Sequence, residues 1–191
     1  MSALDNDSVQ RVRKALVDAG LGDRVIELDE TARTADDAAT SVGCELGAIV
    51  KSLAFIIGSR TVLALVAGDH RCVEAALSRC LDIPGAPRRP GANEVKGMTG
   101  FTIGGVAPVG LIRPLPIAID RSLKRFDTLY AAAGHPHCVF PLSFDELKRL
   151  TDGMVSWNIA QPLDKTAAGP APLQRSKTML KAAEESDGAE A

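Results

Sequence analysis

Apolar positions along this chain recur with two different periods. Val9, Val12, Leu16 and Val17 fall at helical spacing, which predicts an amphipathic helix ending at Gly20. Residues 51–57 and 61–67 are nearly continuous apolar runs on either side of Gly58-Ser59-Arg60, the pattern of an antiparallel hairpin. Arg24-Val25-Ile26-Glu27-Leu28 and residues 115–119, 128–132, 138–142 and 154–157 are shorter runs with turn residues between them, and they read as strands. Thr34 followed by Asp37 marks a helix start, and Gly43 its end. Ser143-Phe144-Asp145-Glu146 is a capping box, with Leu147 and Leu150 supplying the apolar face behind it. Residues 72–81 and 93–98 are expected helices, separated by the loop of Pro84-Gly85-Ala86-Pro87 and Pro90-Gly91.

Strands outnumber the long crossovers that a parallel sheet requires. The pattern therefore predicts an α+β fold, with a mixed, mostly antiparallel sheet and helices packed outside it. One domain is expected over residues 1–160. From Gln161 onward Pro, Ala, Lys, Glu and Gly dominate without apolar periodicity. Residues 161–191 read as a disordered tail with a frayed helix near residues 178–185, whose removal should leave stability unchanged.

Composition changes this picture little. A chain of 191 residues can bury a sizeable core. Its net charge of −2 gives no global attraction to nucleic acid, so any RNA contact must come from local basic residues. Arg88-Arg89, Arg113 and Arg121, Lys124 and Arg125 are the loose clusters available. No run reaches the roughly 18 apolar residues of a membrane span. The acidic N-terminus lacks the apolar stretch of a signal peptide, so a cytoplasmic protein is expected. Cys44, Cys72, Cys80 and Cys138 form no CxxC pair and read as small apolar residues.

Several chemistries are set aside by what the motifs lack. The glycines between Gly100 and Gly110 match neither GxxxxGK[ST] nor GxGxxG, and no GxSxG is present. His135-Pro136-His137 supplies two imidazoles, but no further zinc ligand has a recognisable spacing. His70 reads as a loop residue, and neither metal nor cofactor is expected.

Two segments stand out instead. In Ile49-Val50-Lys51-Ser52-Leu53-Ala54-Phe55-Ile56-Ile57, alternation puts Lys51 on the face of Leu53, Phe55 and Ile57. A lysine there either reaches water at the strand end or sits in a pocket with a partner. The second segment is Gly104-Gly105-Val106-Ala107-Pro108-Val109-Gly110, where glycines permit either a tight turn or close approach of backbone N–H groups to a ligand.

Together with Thr34-Ala35-Asp36-Asp37-Ala38-Ala39, Gly47-Ala48, Ile119-Asp120 and Ala133-Gly134, in this order, these segments resemble the YbaK/ProX family. These are trans-editing aminoacyl-tRNA deacylases related to the editing domain of bacterial prolyl-tRNA synthetases. The chain departs from the family's pattern at Leu111, where histidine is common, and at Glu74, where aspartate is common.

The resemblance implies a sheet strongly curved into a partial barrel and a deacylase of mischarged tRNA, with tRNA for proline the first candidate. Its partners would be the tRNA acceptor end and a synthetase. Lys51 is then the residue on which activity most depends, and Gly105 offers a backbone N–H to the ester carbonyl. On that basis Gly105→Ala should lower turnover more than stability. Ser52, Gly104, Pro108, Asp120 and His137 are the candidate substrate-binding positions. Asp120 reads first as a helix N-cap, and His137 as a structural histidine. Two alternatives stay open: a non-catalytic tRNA- or synthetase-binding module of the same fold, and a hydrolase of another small ester.

Overall fold

Strand β3 (Arg60–Ala67) carries an unbroken apolar run because it is buried on both faces. Leu63, Leu65 and Ala67 face one core, while Val62, Ala64 and Val66 face another. The protein, described by a computed structural model over residues 2–28 and 34–163, is organised around this strand.

β2 (Ile49–Ile57) pairs antiparallel along all of β3 through the two-residue turn Gly58-Ser59. On the far side of β3, β6 (Ile117–Asp120) runs parallel to it, and β9 (Met154–Ser156) runs parallel to β6. On the far side of β2 come parallel β7 (Leu129–Ala132), antiparallel β8 (Cys138–Leu142) and the two-residue β1 (Ile26–Glu27). β5 (Pro87–Arg88) also pairs with the end of β2. The expected mixed α+β sheet is present, in the order β1-β8-β7-β2-β3-β6-β9. It ends openly at β1 and β9, and no pairing among the described residues closes it into a barrel.

Helix α1 (Asp7–Asp18) is capped by Asn6 and buries Val9, Val12 and Leu16 completely, whereas Val17 is left exposed. α2 (Ala35–Val42) begins at the Thr34–Asp37 capping box and ends at Gly43 in the left-handed region. α4 (Ala92–Thr99) precedes the glycine loop, and α5 (Phe144–Thr151) starts at the Ser143–Glu146 capping box. None of the described helices is long and apolar enough to cross a membrane.

Three expectations are corrected. The helix expected over 72–81 is only a 3-10 turn, Glu74–Ala76, followed by the short α3 (Leu77–Cys80). Cys72 belongs instead to β4 (His70–Cys72), because Val73 N–H donates to Ile159 and holds the segment extended. The strand expected from residue 115 starts at Ile117, since Pro114 and Pro116 have no N–H to enter a ladder. Gln161 and Pro162, expected to open the tail, lie in β10 (Ala160–Pro162) and pair with Arg71 and His70 of β4. The rest of the proposed tail, with its helix near residues 178–185, falls outside the described residues.

Ile159, just before β10, is fully buried beneath β2 and β3 with Phe55, Val62 and Leu77. Ile159→Ala should therefore cost about 3 kcal/mol. Thermal melting should show a Tm lower by roughly 6–12 °C for a domain of this size. An unchanged Tm would mean that β4 and β10 contribute nothing to the cooperative unit.

Candidate functional site

β2 is hydrogen-bonded fully along one edge and only at its ends along the other. The two-residue turn makes Ile57 and Arg60 a directly bonded pair, so Phe55–Val62, Leu53–Ala64 and Lys51–Val66 are bonded pairs too. The amides and carbonyls of Val50, Ser52, Ala54 and Ile56 consequently point away from β3. Val50 meets Ala131 of β7, and Ile56 meets Arg88 of β5. Between them the pairing lapses. β5 runs into Pro90, which cannot extend a ladder, and β7 gives way to Ala133-Gly134. Ser52 and Ala54 are left facing a cavity of about 350 Å³.

The first turn of α2, Val95 of α4, Ile103, Gly104 and Val106 of the loop, and Tyr130, His135 and Val139 form the other walls. Lys51 and Arg89 are the two cations among the described lining residues. The Lys51 side chain lies on the Phe55 and Ile57 face, and its Nζ donates to the Gly68 carbonyl at 3.1 Å and to the His70 carbonyl. One of its three N–H groups remains. Burial pushes the Lys51 pKa down, and the nearby Asp69 carboxylate only partly offsets this. Burial also works against the charge on Asp69, but hydrogen bonds from Arg125 at 2.8 Å and His70 at 2.7 Å hold its pKa low. Arg89 donates to Glu74 at 2.7 Å and lies 5.2 Å from the Phe55 ring centroid. On the opposite face of β2, the Ser52 Oγ is buried without a hydrogen-bond partner among the described residues.

The glycine loop is held by α1 and by the turn after β7. A Cβ on Gly105 would lie 2.9 Å from the Gly134 carbonyl carbon and the His135 nitrogen. Gly134 has φ +91°, and a Cβ there would lie 2.6 Å from the Ser8 carbonyl oxygen of α1. Arg11 of α1 donates to the Gly100 carbonyl at 2.7 Å and to the Gly110 carbonyl at 3.3 Å, with its guanidinium 5.0 Å from the Phe101 ring centroid. One helix thus anchors both ends of the loop.

The residues expected at the site divide into two groups. Lys51, Ser52 and Gly104 come together on the cavity. Gly105 is buried behind it, and its N–H donates to the Thr102 carbonyl at 3.0 Å rather than pointing at a ligand. Pro108 lines a separate cavity of about 650 Å³ beside the end of α1 and α5. Asp120, only 3% exposed, caps the 3-10 turn Arg121–Arg125 by accepting from Ser122 N–H at 2.8 Å. It also accepts from Ala67 N–H at 3.1 Å, and it reaches Lys51 only through its charge. His137 does not line the cavity, but His135 does.

His135 accepts the His137 N–H on Nδ1 at 3.2 Å, which leaves the proton of the neutral ring on Nε2. Burial, and then His137, push its pKa below the usual histidine range. Sequence reasoning missed His135 because two imidazoles flank one proline, and alternation is fixed only where β8 begins. Arg11 was hidden on the polar side of a helix whose apolar stripe alone gave a signal. Of the loose basic clusters, only Arg89 reaches this cavity. Arg121 stacks 4.1 Å over Trp157, Arg125 pairs with Asp69, and Arg113 lines the second cavity. Burial pushes the Cys72 and Cys138 thiols up to about 11, far from thiolate at neutral pH. Among the described residues, no group of three or more His, Cys, Asp or Glu side chains could hold a metal ion.

The domain is thus a mixed α+β sheet with a lysine-bearing pocket along a broken strand edge. The chain belongs to the Aminoacyl-tRNA editing domain family, whose sequence model matches residues 29–150. It is similar to the uncharacterized protein YwhH of Bacillus subtilis (strain 168), with 31% identity over 145 residues, covering 75% of this chain and 91% of that protein. A crystal structure of a candidate trans-editing enzyme for prolyl tRNA synthetase superposes with a TM-score of 0.73 at 39% identity. That likeness covers 79% of this chain and 96% of the other. Proline–tRNA ligase of Xanthomonas oryzae pv. oryzae (strain MAFF 311018) is 33% identical over 93 residues, which are 49% of this chain but 16% of the ligase.

The close packing at Gly105 generates a prediction that reverses the sequence-based one. Gly105→Ala should lower stability first, because the added Cβ meets the Gly134–His135 backbone, which has no flexible end to yield. Overpacking of this kind costs about 2 kcal/mol, or roughly 4–8 °C in Tm. A variant melting with the parent would show that the loop moves aside freely.

Proposed function

We propose that this protein hydrolyses the ester of mischarged aminoacyl-tRNA in trans, with a mischarged prolyl tRNA the first substrate to examine. The observation that carries this reading is Lys51, held at the edge of a small cavity in a chain of the editing-domain family. Likeness to a proline–tRNA ligase and to a candidate trans-editing enzyme supports the proline system.

An aminoacyl ester is already activated, so the protein has chiefly to orient it and stabilise the charge that develops on its carbonyl oxygen. Lys51 offers its remaining N–H and its charge to the ester, the terminal ribose or a phosphate. Arg89 supplies the second cation. His135 presents an Nε2–H donor from the opposite wall, and Gly104 leaves the entrance free of a side chain. Gly105 acts as the backing of this loop, and Asp120 acts on Lys51 through its charge. Pro108 and His137 lie outside the proposed site. Alanine, cysteine and serine all suit walls of this size, and small apolar differences give weak discrimination.

A binding module without turnover is favoured by one observation. At rest the Lys51 ammonium is engaged by two carbonyls, and the Gly105 N–H is turned into its own loop. Single-turnover assays with tRNAs mischarged with alanine, cysteine or serine separate the two readings. Hydrolysis of one or more is expected, whereas tight tRNA binding with no hydrolysis of any would establish the module.

Lys51→Ala should lower hydrolysis roughly 100-fold, the scale for losing one transition-state donor. It also strips the donor from the Gly68 and His70 carbonyls, at about 1–3 kcal/mol of stability, so rates must be compared per folded molecule. Near-parent turnover would remove the lysine from the mechanism. The lowered pKa also carries a sign. Activity that needs the ammonium should fall on the alkaline side beginning below the ordinary lysine range, once the hydroxide background is subtracted. Lys51→Arg should abolish that fall. Stability moves oppositely: folding disfavours this charge, so the cost is present at neutral pH and is relieved as pH rises through the folded pKa.

A further inference from the structure

The unpaired stretch of β2 is shaped for a ligand of a specific kind. Ser52 and Ala54 present amide and carbonyl to the cavity as a strand presents them to its neighbour. Among the described residues, none of these four groups has a backbone partner in β5, β7 or the loops. The open stretch is short, since Val50 is taken by β7 and Ile56 by β5, which leaves Ser52 and Ala54, roughly 7 Å apart along the strand. A passing polypeptide strand would collide with β7 at one end and β5 at the other, so the opening suits about one residue. Beside it the Ser52 Oγ is buried without a partner, a state that a polar ligand would relieve. The Lys51 side chain projects from the opposite face of β2.

We propose that the aminoacyl group of the substrate docks on this edge as a one-residue strand. Its α-ammonium donates to the Ser52 carbonyl, and its ester carbonyl accepts an N–H from Ser52 in the antiparallel sense or from Ala54 in the parallel sense. This deepens the deacylase reading and rests on it for the identity of the ligand. The accepted carbonyl oxygen is the one that gains charge when water adds to the ester carbon. That backbone N–H therefore becomes the donor that the Gly105 N–H, already bonded to Thr102, does not provide. As the intermediate collapses, the bond to the ribose oxygen breaks and that oxygen takes up a proton. Free amino acid and an intact tRNA terminus are released. Recognition through backbone groups common to every α-amino acid leaves side-chain choice to the apolar walls.

The test is an amide NMR titration of the full chain with 3′-deoxy-3′-(L-alanylamino)adenosine. In this probe a stable amide carbonyl stands in for the ester carbonyl, and the α-ammonium is retained. The amide of Ser52 or Ala54 should move strongly downfield, while those of Lys51, Leu53 and Phe55, already bonded to β3, should move little. The propanoyl analogue, which lacks the ammonium, should bind at least about 10-fold more weakly, the scale of one lost charged contact. Shifts that ignore the alternation, or equal binding of the two probes, would overturn the proposal. Unmoved Ser52 and Ala54 amides in a protein that hydrolyses mischarged tRNA would overturn the edge site and leave the deacylase reading standing. Alternating shifts in a protein that hydrolyses none would uphold the edge site and remove the deacylase reading.

Discussion

The site depends on one asymmetry, the full pairing of β2 with β3 and its interrupted pairing on the opposite edge. Buried amides and carbonyls are almost always bonded, so an open edge inside a domain is sustained only where water or a ligand reaches it. β3 is what makes the asymmetry tolerable. Buried on both faces and bonded on both edges, it holds β2 through eight consecutive pairs. The open groups therefore sit on a strand held along its whole other edge, which fixes their direction before any ligand arrives. Pro90 after β5 and the turn at Gly134 keep neighbouring backbone from closing the gap.

Lys51 shows a second competition. Taking an ammonium partly out of water is unfavourable, and two carbonyls with the Asp69 carboxylate nearby recover some of the loss. The recovery is incomplete, because burial still dominates and the pKa stays low. Asp69 is itself divided among Arg125, His70 and Lys51, and Asp120 is committed to capping and to Ala67. The ammonium of this cavity-lining residue is left short of negative charge. An electron-rich group placed there would complete its surroundings, which is the electrostatic content of calling this pocket a site.

Local signals were legible wherever a residue acts on its own neighbours. The Thr34 and Ser143 caps, the hairpin turn, and the face on which Lys51 lies all follow from short-range chemistry, and they stand in the structure as the sequence implies. Long-range partnerships were not legible. Nothing around Cys72 announces that Ala160 will pair with it, and a helical reading of residues 72–81 was reasonable until Ile159 claimed the Val73 amide. Which of the expected residues would share one cavity was hidden for the same reason. Pro108 sits in the right loop, but its turn faces α1 and α5 instead of β2. Choosing His135 over His137 required the register of β8, and Gly105 required knowledge of which backbone would lie against it.

That last contact shows how the site is assembled from parts far apart in sequence. The family match begins at residue 29, yet α1, which precedes it, holds the glycine loop at both ends through Arg11 and backs Gly134 through Ser8. Gly134 in turn lies against Gly105, so the loop, the histidine turn and α1 form one stack of close backbone contacts. Glycines are needed there because no side chain fits between the layers, whatever chemistry happens at the surface. The lysine and the open edge belong to the β2–β3 hairpin, while the opposite wall, with Gly104 and His135, is set by this stack. The wall that bears Gly104 and His135 therefore rests on α1, which is seated on the core through the fully buried Val9, Val12 and Leu16. Packing of an apolar helix face and the geometry of a polar pocket are in this domain the same physical fact.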